Sequence, residues 1–152
     1  MPRGEPKPRR LRGETETPTA NVVDSSAWLE FVDGGPNAQR FEPAILGVER
    51  LVVPTICLFE VFKRMLREKG EDAALDVVGQ MRQGLVVDFD ADLALEAARL
   101  GIELKLPLAD SAILATARLH KATVWTQDEH FDGMDGVRYF PKSKRPRQED
   151  RN

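Results

Sequence analysis

At 152 residues and 17.0 kDa, with 41% hydrophobic residues, the chain suits one domain of ordinary core size plus tails. Its net charge is −3, but segments 1–20 and 141–152 each carry five basic residues, which leaves 12 basic and 20 acidic residues in 21–140. A middle near −8 repels nucleic acid at long range, so a polyanionic substrate has to be admitted by bound cations or by local basic patches. No apolar run approaches the roughly 20 residues of a membrane span, and MPRGEPKPRRLRG lacks a secretory apolar stretch, so a cytoplasmic protein is expected. The single cysteine, Cys57 in ICLFEVF, excludes an internal disulfide and is expected to be a small buried hydrophobe.

Residues 1–20 hold four prolines and almost no apolar side chains, too little to offset ordering entropy, so a disordered basic, proline-rich tail is expected there. One ordered domain is expected over 21–141, followed by a frayed basic tail over 142–152. Within it, short apolar runs alternate with longer helical ones. That is the pattern of a three-layer α/β/α sandwich with a mostly parallel sheet of four to five strands.

In chain order, Val22–Val23 is a strand running into Asp24, and SSAWLEFVD is a helix stopped at Gly34 and Gly35. A segment broken by Pro43 follows, then the strand Leu51–Val53. Ile56 to Lys69 is a long helix ended by Gly70, and Glu71–Gln83 is a helix with Ala74, Val77, Val78 and Met81 on one side. Leu85–Phe89 is the third strand. Asp90 to about Lys105 is helical, Pro107 interrupts, and Leu108–His120 is a helix packed through Ala112, Ala115 and Leu119. Thr123–Thr126 and Val137–Phe140 are the last two strands.

Four acids are placed to meet where such sheets bind ligands, beyond the carboxyl ends of the strands. Asp24 ends the first strand, Asp128 follows the fourth, Glu60 lies one turn inside its helix, and Asp110 lies in the first turn after Pro107. The apolar neighbours Leu58, Phe59, Val61 and Phe62 of Glu60, and Leu108, Ala109 and Ala112 of Asp110, suggest acids held against packed surfaces. Like charges 4 Å apart repel by roughly 4 kcal/mol at an effective dielectric near 20, so such a cluster either takes up protons or binds cations. Hard divalent ions with oxygen ligands, Mg2+ or Mn2+, suit the donors. Taken singly, each acid is weak evidence, because an Asp after a strand is more often a helix cap and Glu60 can be a solvated helix residue.

The stretches VVDSSAWLE, LFEVFKR, LPLADSAILATARLHKATVWTQDEHF and VRYF resemble the PIN-domain ribonucleases, and in particular the VapC toxins of toxin–antitoxin pairs. The specific part is an Asp opening an alanine-rich helix, a short strand, then Thr, one residue, Asp and a Phe three further on: Asp110, Thr126, Asp128 and Phe131. The resemblance maps four catalytic, metal-binding acids onto Asp24, Glu60, Asp110 and Asp128, with supporting polar groups at Ser26 and Thr126. It implies Mg2+- or Mn2+-dependent endonucleolytic cleavage of structured RNA of the transfer or ribosomal class. It also implies a homodimer and a small VapB-like antitoxin that inserts a basic side chain into the acidic pocket while packing on helix 56–66. The extension over 1–20 departs from the family, whose toxins begin just before the first strand.

Other residues point elsewhere. His120 and His130 lie near helix ends without ligand-spaced partners and are expected to be structural. Trp28 and Trp125 fit the core. Lys63, Arg64, Arg67 and Lys69 beyond Glu60 are a solvated helix face by default and, alternatively, a phosphate-gripping edge, with Lys63, Arg64 and Arg67 the candidates for RNA contact. A phosphoacceptor receiver domain shares the sheet pattern, but two serines follow Asp24 and no lysine ends the fourth strand. A catalytically silent PIN-like module that binds RNA or protein is the remaining alternative.

Overall fold

The computed structural model describes residues 19–143, so the expectations for most of both tails lie outside the described residues. Five strands form one sheet in the order β3-β2-β1-β4-β5, with every pair parallel. They are β1 (Asn21–Val23), β2 (Leu51–Pro54), β3 (Leu85–Val87), β4 (Thr123–Thr126) and β5 (Val137–Tyr139). β1 is central, with Val22 beside both Val52 and Val124, and it is buried along its whole length. The chain steps outward from β1 to β2 to β3, then returns across the sheet to β4. With right-handed crossovers this places helices on both faces.

The β1–β2 connection holds α1 (Ser25–Asp33) and α2 (Ala38–Leu46), the latter in the segment where Pro43 was expected to break regular structure. The helix survives because Phe41, Ala44 and Ile45 form a buried stripe, while Pro43 and Gln39 lie on the exposed side. The Gln39 carbonyl that loses its N–H partner there is open to water. α3 (Thr55–Lys69) and α4 (Glu71–Met81) pack as a hairpin and lead to β3. Here the strand is shorter than expected, because Phe89 N–H donates to Thr55 Oγ1 at 3.1 Å instead of continuing the ladder. As an edge strand β3 leaves Leu85 exposed.

α5 (Ala91–Leu104) and α6 (Leu108–Leu119) make the return, and α6 lies against β1, β2 and β4. It is buried from Asp110 to Ala117, which explains its run of alanines: small side chains let a helix sit close over a sheet. Trp28, Phe41, Ile45, Leu51, Met81, Ile113, Leu114 and Phe131 are the large fully buried side chains. Cys57 is buried as expected, its thiol near the Val23 carbonyl at 3.8 Å. Trp125 is buried too and donates through Nε1 to Asn21 Oδ1 at 2.9 Å. Among the described residues no helix is long and apolar enough to cross a membrane.

Candidate active site

The order of strands reverses at β1 and β4, the switch point where open α/β sheets form a crevice. Asp24 leaves the end of β1 and Asp128 follows β4 by one residue beyond Gln127, so these two acids face the crevice from adjacent strands. The N-terminal portions of α3 and α6 meet above it and bring Glu60 and Asp110. All four acids line one cavity of about 360 Å3, together with Ser25, Ser26, Leu29, Phe59, Ile113 and the basic residues Lys63, Arg64 and Arg67.

Local hydrogen bonds hold each acid differently. Asp24 caps α1: its Oδ1 accepts from Ala27 N–H at 3.0 Å and Ser26 Oγ at 2.7 Å, and its Oδ2 accepts from Thr126 Oγ1 at 2.6 Å. Thr126 Oγ1 in turn accepts from Asp128 N–H at 2.9 Å, so one hydroxyl ties both strand ends together. Asp128 caps a short 3-10 turn, accepting from His130 N–H. Capping therefore accounts for Asp24 and Asp128 as structural residues. It does not account for Asp110, the third residue of α6, whose side chain caps nothing.

What Asp110 meets is His130, whose Nδ1 lies 2.9 Å from Asp110 Oδ2 and 3.0 Å from Asp128 Oδ1. Asp110, Asp128 and His130 each present one ligand atom within 4.8 Å of one another. The histidine set aside in the sequence as structural thus bridges two of the four acids. His120, by contrast, only ends α6. Ser25 also joins, donating to Glu60 Oε1 at 2.7 Å. The available sequence signals were the adjacency of His130 to Asp128 in QDEHF and the doubled serine after Asp24. The packed surroundings expected for the acids hold for Asp110, which is 8% exposed, but Phe59 and Leu108 point outward at 59% and 72%.

Burial dominates the electrostatics. Desolvation lifts Asp24 from 3.8 to about 6, against the hydrogen bonds from Thr126, Ser26 and Ala27 that favour its anion. Asp110 is also lifted to about 6, by desolvation first and then by the Asp128 charge, with His130 opposing. His130 is pushed up, mainly by the Asp128 carboxylate and then by Asp110. The His130 ring sits between two carboxylates, which favour its protonated form. The donors are oxygen-rich with one imidazole, and two of the acids hold protons unusually tightly. Both features fit a divalent ion competing for the same place.

A crevice at the switch point of a parallel sheet, lined by four acids and by three basic residues, defines an α/β domain whose charged groups gather in one cavity. Residues 22–137 match the PIN domain family, and the chain belongs to that family. No curated protein matches it in sequence. Among solved structures it is similar to a toxin–antitoxin complex from Klebsiella pneumoniae, with 23% identity over 78% of this chain and 95% of that one and a TM-score of 0.67. It is similar to VapC20 of Mycobacterium tuberculosis, described as a sarcin-ricin loop cleaving toxin, with 20% identity over 74% and 92% of the two chains and a TM-score of 0.62. A DNA-bound VapBC from Salmonella typhimurium matches at 20% identity over 81% and 98%, again with a TM-score of 0.62. At these identities the likeness is one of fold.

Proposed function

We propose that this chain is a Mg2+- or Mn2+-dependent endoribonuclease, and that it serves as the toxin of a toxin–antitoxin pair in the cytoplasm. The observation that carries the catalytic reading is the meeting of Asp24, Asp110, Asp128 and Glu60 in one cavity. In it Asp110 is buried without a capping role and is bridged to Asp128 by His130. Asp110 and Asp128 would hold the ion, with Asp24 and Glu60 completing the acidic wall. When bound, a divalent ion supplies Lewis-acid stabilisation of the charge that develops on a phosphodiester and lowers the pKa of water.

The chain's own groups set the stage for that chemistry. Thr126 and Ser26 fix the Asp24 carboxylate and favour its charged form against burial. Ser25 anchors Glu60, so the helix α3 carboxylate is oriented instead of waving in solvent. Lys63, Arg64 and Arg67 line the same cavity as the acids and offset their repulsion of an RNA backbone. Arg64 is engaged with Glu68 at 2.7 Å and Arg67 stands 3.8 Å from the same carboxylate oxygen, so Lys63 is the least committed phosphate contact of the three and Arg67 the next.

The toxin reading rests on the fold shared with the Klebsiella toxin–antitoxin complex and the two VapC-containing structures. A structured ribosomal or transfer RNA as substrate, a homodimer and a small antitoxin partner follow from the same likeness. An antitoxin has a surface to use: Leu58, Phe59, Phe62, Leu75 and Val78 line an apolar groove between α3 and α4 beside the acidic cavity. Mapping cut positions on total RNA, with Mg2+ or Mn2+ and with EDTA, tests the enzyme. Cuts that disappear with EDTA and in Asp24→Asn support it, and cuts that survive both refute it. Co-expression with the neighbouring reading frame tests the toxin: a copurifying small protein that suppresses cleavage is expected. Cells that tolerate the chain alone, with nothing copurifying, would leave the nuclease and remove the toxin.

A further inference from the structure

We propose that Phe59 is a base-stacking platform that makes this site select unpaired RNA, a reading that rests on the nuclease assignment above. Phe59 is the residue before Glu60 on α3, and it is 59% exposed although it is a large aromatic at the wall of the acidic cavity. Its neighbours Cys57 and Val61 point into the core. The ring therefore lies outside the central core, at the edge of the groove between α3 and α4.

Beyond the acids, three basic residues of α3 line the cavity. Lys63 Nζ stands 5.6 Å from the ring centroid, one turn further along α3, and Arg67 follows one turn beyond, both lining the same cavity as the acids. An exposed aromatic with a cation at one face is an arrangement that grips single-stranded nucleic acid, the open face taking a base and the cation an adjoining phosphate. Paired bases in a helix present only edges and cannot offer a face to the ring. With the scissile phosphate at Asp24, Asp110 and Asp128, the base next to it stacks on Phe59 and the following phosphates run along Lys63 and Arg67. The ring also borders the apolar groove of α3 and α4, so a protein partner is the competing occupant. The cations beside the ring favour RNA.

The test compares Phe59→Ala and Phe59→Trp with the wild-type full chain on a single-stranded oligoribonucleotide and on a blunt RNA duplex, in the presence of Mn2+. Stacking holds ground state and transition state alike, so Phe59→Ala should raise KM on the single strand about tenfold, equivalent to ~1.4 kcal/mol, with kcat unchanged. Phe59→Trp should restore the wild-type KM, and the duplex should be insensitive to both changes. An unchanged KM in Phe59→Ala, or an equal rise on strand and duplex, overturns the proposal. So does loss of a copurifying protein partner with KM intact. If the wild type cleaves no RNA at all, the nuclease reading fails separately. The platform is then read from the emission of Phe59→Trp, whose background is the buried Trp28 and Trp125. Quenching by the oligonucleotide but not by inorganic polyphosphate supports stacking, and equal or absent quenching rejects it.

Discussion

Asp24 is the residue where structure and chemistry conflict most. It is 2% exposed, accepts three hydrogen bonds and still holds its proton up to about pH 6, because burial outweighs them. A carboxyl raised from 3.8 to about 6 binds its proton more tightly in the folded than in the unfolded chain. The metal-free protein therefore lacks, at pH 7, stability that it regains as pH falls from about 6 toward 4. Asp110 acts in the same direction. The raised His130 does so too, since its stabilisation is full below 6.5 and is lost as pH climbs through its higher folded value. Urea unfolding without metal should thus show greater stability at pH 5 than at pH 7, with Asp24 alone contributing on the order of 1 kcal/mol over that interval. Mn2+ should reverse the order by stabilising the pH 7 form more. A stability that is flat or falls on acidification would contradict this electrostatic picture. Thr126→Val, which removes the hydroxyl joining Asp24 to Asp128 N–H, should cost about 1–3 kcal/mol in the same assay and slow cleavage with little change in KM.

At the level of elements, alternation of apolar runs with helical ones was enough to locate all five strands and five of the six helices, because those patterns are what a sheet covered on both faces requires. The sixth, α2, was hidden by Pro43, whose local cost is outweighed by burying Phe41, Ala44 and Ile45. Sequence patterns also placed Asp24, Glu60, Asp110 and Asp128 on one rim, since strand ends and helix starts are legible. The His130 contact was not legible. It depends on how a one-turn 3-10 segment after Asp128 aims a side chain toward α6, and no periodicity encodes that. Burial of the individual faces was equally hidden, so Phe59 read as packing when it is exposed. Gly84 shows the precision with which β3 is set against β2. A Cβ there would stand 2.7 Å from the Leu51 carbonyl oxygen, a backbone atom that cannot swing aside. Gly84→Ala should lower the urea midpoint by the equivalent of about 1–3 kcal/mol, and an unchanged midpoint would show that β3 is free to shift.

Across the whole molecule the charge problem is the organising one. The stretch 21–140 carries 20 acidic against 12 basic residues, yet the proposed substrate is a polyanion. Lys63 and Arg67, on the same cavity as the acids, are the local answer. If they contact phosphates, replacing both with alanine should weaken RNA binding and reduce the slope of log K against log salt by about 1.4, at roughly 0.7 per contact on a single strand. A weaker affinity with an unchanged slope would mean that these side chains act other than through phosphate. In the proposed function a divalent ion at Asp110 and Asp128 meets the remaining charge, and that claim is open to one direct measurement. Single-turnover cleavage of RNA is followed while Mn2+ is titrated into the EDTA-treated wild type and into Asp110→Asn. A rate that rises from zero and saturates with Mn2+ in the wild type, and that is at least about a hundredfold lower in Asp110→Asn at every concentration, is the predicted result. A rate independent of Mn2+, or equal in the two proteins, would contradict a metal-dependent active site here.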